Sequence, residues 1–124
     1  MAYDIYQENI LDHYENPRNF GHILNCTAKA HDTNPLCGDM FDFEVAVSEG
    51  RIQDVRFNGK GCAISTASAS MLTEKIKNMT VEEAMKIERE DITEMLGVEL
   101  SHVRIKCAML PLKVMKLALI ECKK

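Results

Sequence analysis

The chain has 124 residues, 46% of them hydrophobic, and a formal net charge of −4. That is enough apolar material for one core and one domain, 1–124. The acidic balance argues against a nucleic-acid binder, which needs a basic surface to neutralise phosphates. No apolar run is long enough to span a bilayer. Met1-Ala2-Tyr3-Asp4-Ile5 has no signal or presequence pattern, so the expected setting is a reducing cytoplasm. There, five cysteines read as metal ligands or reactive thiols before disulfides.

Tyr3, Tyr6, Ile10 and Tyr14, with Leu11 beside them, recur at helical spacing and predict a first helix up to Glu15. Pro17 ends it, because proline lacks a donor and disfavours helical geometry at Asn16. A weak strand is predicted over Ile23 to His31, which would put Cys26 in the core. A better one runs from Met40 to Val47, with Phe43, Val45 and Val47 opposite Asp42, Glu44 and Ala46. Ser48-Glu49-Gly50 turns the chain into Ile52 to Phe57, giving an antiparallel hairpin. After Gly59-Lys60-Gly61 the pattern becomes helical. A small-residue helix spans Ala63 to Lys77. Thr80 and Glu83 form a capping box, and a short helix starts near Asp91 and ends near Gly97. The last helix is placed from Cys107 to Ile120, with Pro111 in its first turn and Lys116, Lys123 and Lys124 at the negative end of its dipole. This order predicts an α+β domain, with helices packed on one face of a small antiparallel sheet.

Cys37, Cys62 and Cys107 stand 25 and 45 residues apart, so none forms a Cys-x-x-Cys knuckle. Each would come from a different element, giving a site assembled by folding and open on one side. Thiolates suit iron and zinc, and Asp39, two residues from Cys37, could supply a harder oxygen as fourth donor. Cys62 falls at a predicted helix N-terminus, and Cys107 follows Arg104 and Lys106; both settings favour thiolate. Asp39 could equally close an Asx turn. Cys122 near the chain end reads as an idle thiol. His13 reads as a structural hydrogen-bonding group, and His22, His31 and His102 lack metal-ligand spacing. Ser65, Thr66, Ser68 and Ser70 fit either a polar lining or close helix packing.

Four motifs in order resemble the IscU/NifU-type iron–sulfur cluster assembly scaffolds across essentially the whole chain. They are Asp12-His13-Tyr14-Glu15-Asn16-Pro17-Arg18-Asn19-Phe20-Gly21, Asn34-Pro35-Leu36-Cys37-Gly38-Asp39, Gly59-Lys60-Gly61-Cys62-Ala63-Ile64-Ser65, and Lys106-Cys107-Ala108. The resemblance implies a three-stranded antiparallel sheet with helices packed against it. It also implies a scaffold without turnover of its own, on which a transient [2Fe–2S] cluster is built and passed to apo-proteins. Iron would come from an iron donor and sulfur from a cysteine desulfurase. Cys37, Asp39, Cys62 and Cys107 would be the ligands, with Cys107 the leading persulfide acceptor and Cys37 next. An open three-thiol site also invites a second protomer, with the cluster at or near the interface.

Two features depart from that pattern. Lys106 stands where the family usually has His, and Leu100-Ser101-His102-Val103-Arg104 replaces the Leu-Pro-Pro-Val-Lys segment read by a dedicated Hsp70. Arg104-Ile105-Lys106-Cys107 resembles the SufU branch, whose members bind zinc and relay sulfur, although their longer insertion between the second and third cysteines is missing. A zinc-bound sulfurtransferase partner that accepts persulfide is therefore the alternative. A closed structural zinc domain, unfolded by chelators, is a third reading.

Overall fold

The computed structural model describes residues 5–35 and 37–122. Tyr3, Leu36, Lys123 and Lys124 lie outside these. The elements in order are α1 (Ile5–Glu15), β1 (Ala28–Asn34), β2 (Asp39–Ser48), β3 (Arg51–Lys60), α2 (Ala63–Ile76), α3 (Val81–Met85), α4 (Arg89–Leu96) and α5 (His102–Cys122). The three strands pair antiparallel in the order β1-β2-β3, and α2 and α5 lie side by side on one face. Alternation along β2 sends Phe41, Phe43 and Val45 into the core. Phe57 of β3 stacks on Phe43 with ring centroids 5.9 Å apart. Leu72 and Ile76 of α2 and Val114, Met115 and Leu119 of α5 close the core from the helical side.

The β2–β3 turn puts Glu49 and Gly50 at φ 53° and 76°, the two left-handed residues of a tight hairpin. The free edge of β3 is covered at both ends. Gly21 N–H donates to the Phe57 carbonyl (2.8 Å) and Phe57 N–H to that of Asn19 (3.0 Å), while Ile52 N–H donates to Met79 (2.8 Å). On the outer face, Glu44 is only 7% exposed because the 22–23 loop lies on it. Its carboxylate accepts the Ile23 N–H at 2.7 Å and meets His22 Nδ1 at 2.7 Å. Burial pushes the Glu44 pKa up, and these two bonds outweigh it, leaving the carboxyl below its ordinary range.

Three expectations need correction. β1 starts at Ala28 rather than Ile23 and runs to Asn34, because Asn25 adopts a left-handed conformation (φ 61°) and turns the chain. Cys26 is therefore half-buried ahead of the strand rather than in the core. The last helix starts five residues before Cys107, at His102. Ser101 caps it: the hydroxyl accepts the Arg104 N–H (3.3 Å) and the carbonyl accepts that of Ile105 (2.9 Å). Pro111 consequently sits mid-helix and cannot donate to the Cys107 carbonyl. One turn away, the Ser68 hydroxyl donates to the Ala108 carbonyl at 2.8 Å and pins α2 to α5 beside the proline. Finally, the apolar stripe of α1 is largely exposed, with only Ile10 and His13 buried.

The Ser/Thr run of α2 serves close packing. Residues 65 to 73 are all buried. Small side chains let α1 and α5 approach α2 closely. Ser70 Oγ accepts the Arg18 N–H (2.8 Å) and sits 2.7 Å from His13 Nδ1. Its single proton is thus free to go to His13, whose Nε2 then carries the ring proton toward Glu74 (3.7 Å). Gly97 ends α4 at φ 72°, and a Cβ there would lie 2.1 Å from the Tyr6 ring, so this C-cap also receives α1.

Burial, aided by the Arg18 charge, holds His13 below its ordinary pKa of 6.5. As pH falls through that value the unfolded chain takes up the proton first, so stability drops there. The lowered carboxylates act only from about 4.5 downward, as their ordinary values are 3.8 and 4.5. Urea unfolding midpoints should therefore fall between pH 7.5 and 5.5 in the parent, and fall less in His13→Gln. Equal slopes in the two proteins would remove His13 as the cause.

Candidate metal centre

Four elements end at one place. Cys37 lies in the β1–β2 turn, where its N–H and that of Gly38 donate to the Asn34 carbonyl at 3.1 and 2.9 Å. Asp39 opens β2, Cys62 is the N-cap of α2, and Cys107 sits in the second turn of α5. Ligand atoms of Cys37, Asp39 and Cys107 fall within 4.8 Å of one another. The sulfurs of Cys107 and Cys37 are 2.9 Å apart. Cys62 is not in that trio. Its sulfur accepts the Ser65 N–H at 3.5 Å, with the Ser65 hydroxyl also at 3.5 Å, yet it remains in contact with Cys107.

Asp39 joins the two halves of the site. Its Oδ1 accepts the Cys62 N–H at 3.0 Å, while its Oδ2 is buried with no hydrogen-bond partner. Gly61 makes that approach feasible. A Cβ there would meet Ser65 Oγ at 2.3 Å, Asp39 Oδ1 at 2.8 Å and the Phe41 ring at 2.9 Å. Any larger residue would push α2 away from β2.

The two helix-borne thiols are tuned in opposite directions. Burial works to raise the Cys62 pKa, but the hydroxyl and N–H of Ser65 overturn it and leave this thiol more acidic than usual. This is the expected effect of a helix N-terminus. Cys107 is fully buried, and burial, followed by the Cys37 and Cys62 sulfurs and the Asp39 carboxylate, drives its pKa well up. The acidification expected from its neighbours in sequence does not occur. Lys106 is exposed. Arg104 is the cation that meets the site, its own pKa raised by Cys62 first and then Cys107. The sequence left Ser65 between a polar lining and helix packing; its position three residues after an N-cap is the signal for its bond to the Cys62 sulfur.

A buried, unpartnered carboxylate oxygen among soft sulfurs suits a cation of the iron or zinc class. Cys26 and Cys122 are free, half-buried thiols outside this group. His13 is committed to Ser70.

Alkylation of the metal-free protein followed by peptide mass mapping should label Cys62 before Cys107. The Cys62 rate should half-saturate at a pH below 9.0, the ordinary pKa of a thiol. Labelling of Cys107 first would contradict the electrostatics above. Gly61→Ala should slow Cys62 labelling toward that of a free thiol.

Residues 5–124 match the model of the NifU-like N-terminal domain. The chain is 39% identical over 127 residues to the iron–sulfur cluster assembly scaffold protein IscU of Escherichia coli (strain K12), covering 95% of this chain and 94% of that protein. It is 36% identical over 129 residues to the zinc-dependent sulfurtransferase SufU of Bacillus subtilis (strain 168), covering 90% and 87%. The solved structure of a candidate SUF-system scaffold from Fervidobacterium islandicum AW-1 superposes with a TM-score of 0.79 at 28% identity, covering 94% and 96%. The chain belongs to the family of the NifU-like N-terminal domain, the IscU/NifU-type group that its four motifs resemble.

Proposed function

We propose that this chain is a scaffold on which a [2Fe–2S] cluster is assembled as cargo and handed to apo-proteins. Cys37, Asp39, Cys62 and Cys107 would hold the iron. The observation that carries this reading is Asp39 Oδ2, buried without a partner beside the sulfurs of Cys37 and Cys107. An oxygen so placed costs about 1–3 kcal/mol when left unsatisfied, which a bound cation relieves. Oxygen is also a harder donor than a fourth thiolate, so the cluster is held less tenaciously than by four sulfurs. The name of the Escherichia coli relative supports the same reading.

Sulfur would arrive as the persulfide of a cysteine desulfurase. A scaffold thiolate attacks the outer sulfur, a new S–S bond forms, and the donor cysteine leaves as a thiolate. Of the two acceptors expected from the sequence, Cys37 is half-buried in a turn and Cys107 is wholly enclosed. We therefore place Cys37 first on access, with Cys107 following once uncovered. The chain has no turnover of its own in this scheme.

The Bacillus subtilis relative supports a second reading: the same donors hold zinc, and the chain only relays persulfide. Anaerobic reconstitution with iron, a desulfurase and cysteine separates the two. Visible absorbance with two irons per site upholds the scaffold, whereas colourless protein with retained zinc upholds the relay. Asp39→Ala should lose a reconstituted cluster several-fold more slowly than the parent. Equal loss rates would refute the labile-ligand role.

A further inference from the structure

Away from the thiols, the outer face of the sheet carries a second set of donors. The β1–β2 register sets His31 opposite Asp42 and Lys29 opposite Glu44. The 22–23 loop brings His22 to the same face. His22 Nδ1 lies 2.7 Å from Glu44 Oε2, and His31 Nδ1 hydrogen-bonds to Asp42 Oδ1. These four residues, with Lys29 and Ala30, line one cavity of about 380 Å³.

The pairing dictates the tautomers. An ionised carboxylate only accepts, so Nδ1 carries the proton in each neutral ring and Nε2 keeps its lone pair. Among the described residues neither Nε2 has a hydrogen-bond partner, and the side chains are 73% and 56% exposed. Imidazoles backed by carboxylates through Nδ1 are how metal-ligating histidines are usually held and made more basic. Two carboxylates against one ammonium leave the cavity net negative, which favours a cation.

We propose that this cavity is a second metal site, for a divalent transition metal of the zinc, nickel or copper class. His22 and His31 would bind through Nε2, with water completing the coordination. Glu44 and Asp42 are positioning residues that orient the rings. Nitrogen donors without sulfur distinguish it from the thiol centre. Because His22 belongs to the loop and His31 to β1, a bound ion would tie the loop to the far side of the sheet.

Zinc titration of the full chain, followed by NMR, reads the two sites separately. Cysteine β-carbon shifts report the thiols, and imidazole ring shifts report His22 and His31. The proposal expects both imidazoles to move together and saturate at a second equivalent. His22→Asn and His31→Asn should each abolish that phase while leaving the cysteine phase intact. Asp42→Asn should weaken it by roughly 10–100-fold. Imidazole signals that stay still, move separately, or saturate only with a large excess of zinc would overturn the proposal. The ring shifts of the parent alone decide the matter if a variant fails to fold. The outcome is independent of what the cysteines carry.

Discussion

The contact between α2 and the elements around it holds everything else in place. Each donor of the thiol site comes from a separate element, so no local loop can preserve the constellation if those elements part. Its integrity depends on a helix whose residues 65 to 73 are all buried, most of them Ala, Ser and Thr. Their small volume allows close approach, and their hydroxyls replace what bulky side chains would otherwise supply in packing. Ser68 binds the Ala108 carbonyl, Ser70 binds His13 and the Arg18 backbone, and the Thr73 hydroxyl both donates to the Ser70 carbonyl and receives Asn19. A buried hydrogen bond left half-made costs about 1–3 kcal/mol, and a domain of this size holds only about 5–15 kcal/mol in total. Loosening this helix would therefore part donors that no local loop holds together.

At the centre, two opposed demands meet on one carboxylate. Asp39 braces the N-terminus of α2 through Oδ1 and leaves Oδ2 without a partner in a closed environment. A purely structural role would have favoured a side chain with no surplus acceptor. The fold instead carries an unmet acceptor that a bound cation would satisfy. Cys62 and Cys107 divide the remaining work. The Ser65 N–H and hydroxyl favour thiolate at the first, while enclosure favours the protonated thiol at the second. On the proposed reading, metal uptake at this centre would release protons and tighten as pH rises.

Much of this was legible in the sequence, for local reasons. The alternation of Phe43, Val45 and Val47 set one hairpin strand, and the turn Ser48-Glu49-Gly50 supplied its left-handed pair. The Thr80–Glu83 box and Gly97 marked helix ends through bonds made within a few residues. The failures were also local. Asn25 turns the chain without a glycine or proline to announce it, and Ser101 caps α5 without the acidic residue that completes a box. Pro111 was a misleading guide, since an interior proline survives where a neighbouring helix satisfies a nearby carbonyl, as Ser68 does. Tertiary facts were beyond reach. That Arg104 meets the sulfurs depends on α5 starting before it, which puts it three residues from Cys107 on one helical face. The close approach of Asp39 to the start of α2 depends on Gly61 having no side chain.

The same reasoning explains why the histidines of the outer face carried no signal in the sequence. His22 and His31 are nine residues apart, and the carboxylates they meet are 22 and 11 residues away. Only the strand register, which places His31 across from Asp42, and a loop folded back onto Glu44 bring them into one cavity. Glu44 is held there by the Ile23 N–H as well as by His22, so its position is set by the loop and not by any ion. The rings are thus oriented by contacts that the fold makes for its own stability. The thiol centre is built differently, around an acceptor that the fold leaves unmet. One face offers donors already satisfied at their inner atoms; the thiol centre, where β2 begins, leaves one buried carboxylate oxygen unmet.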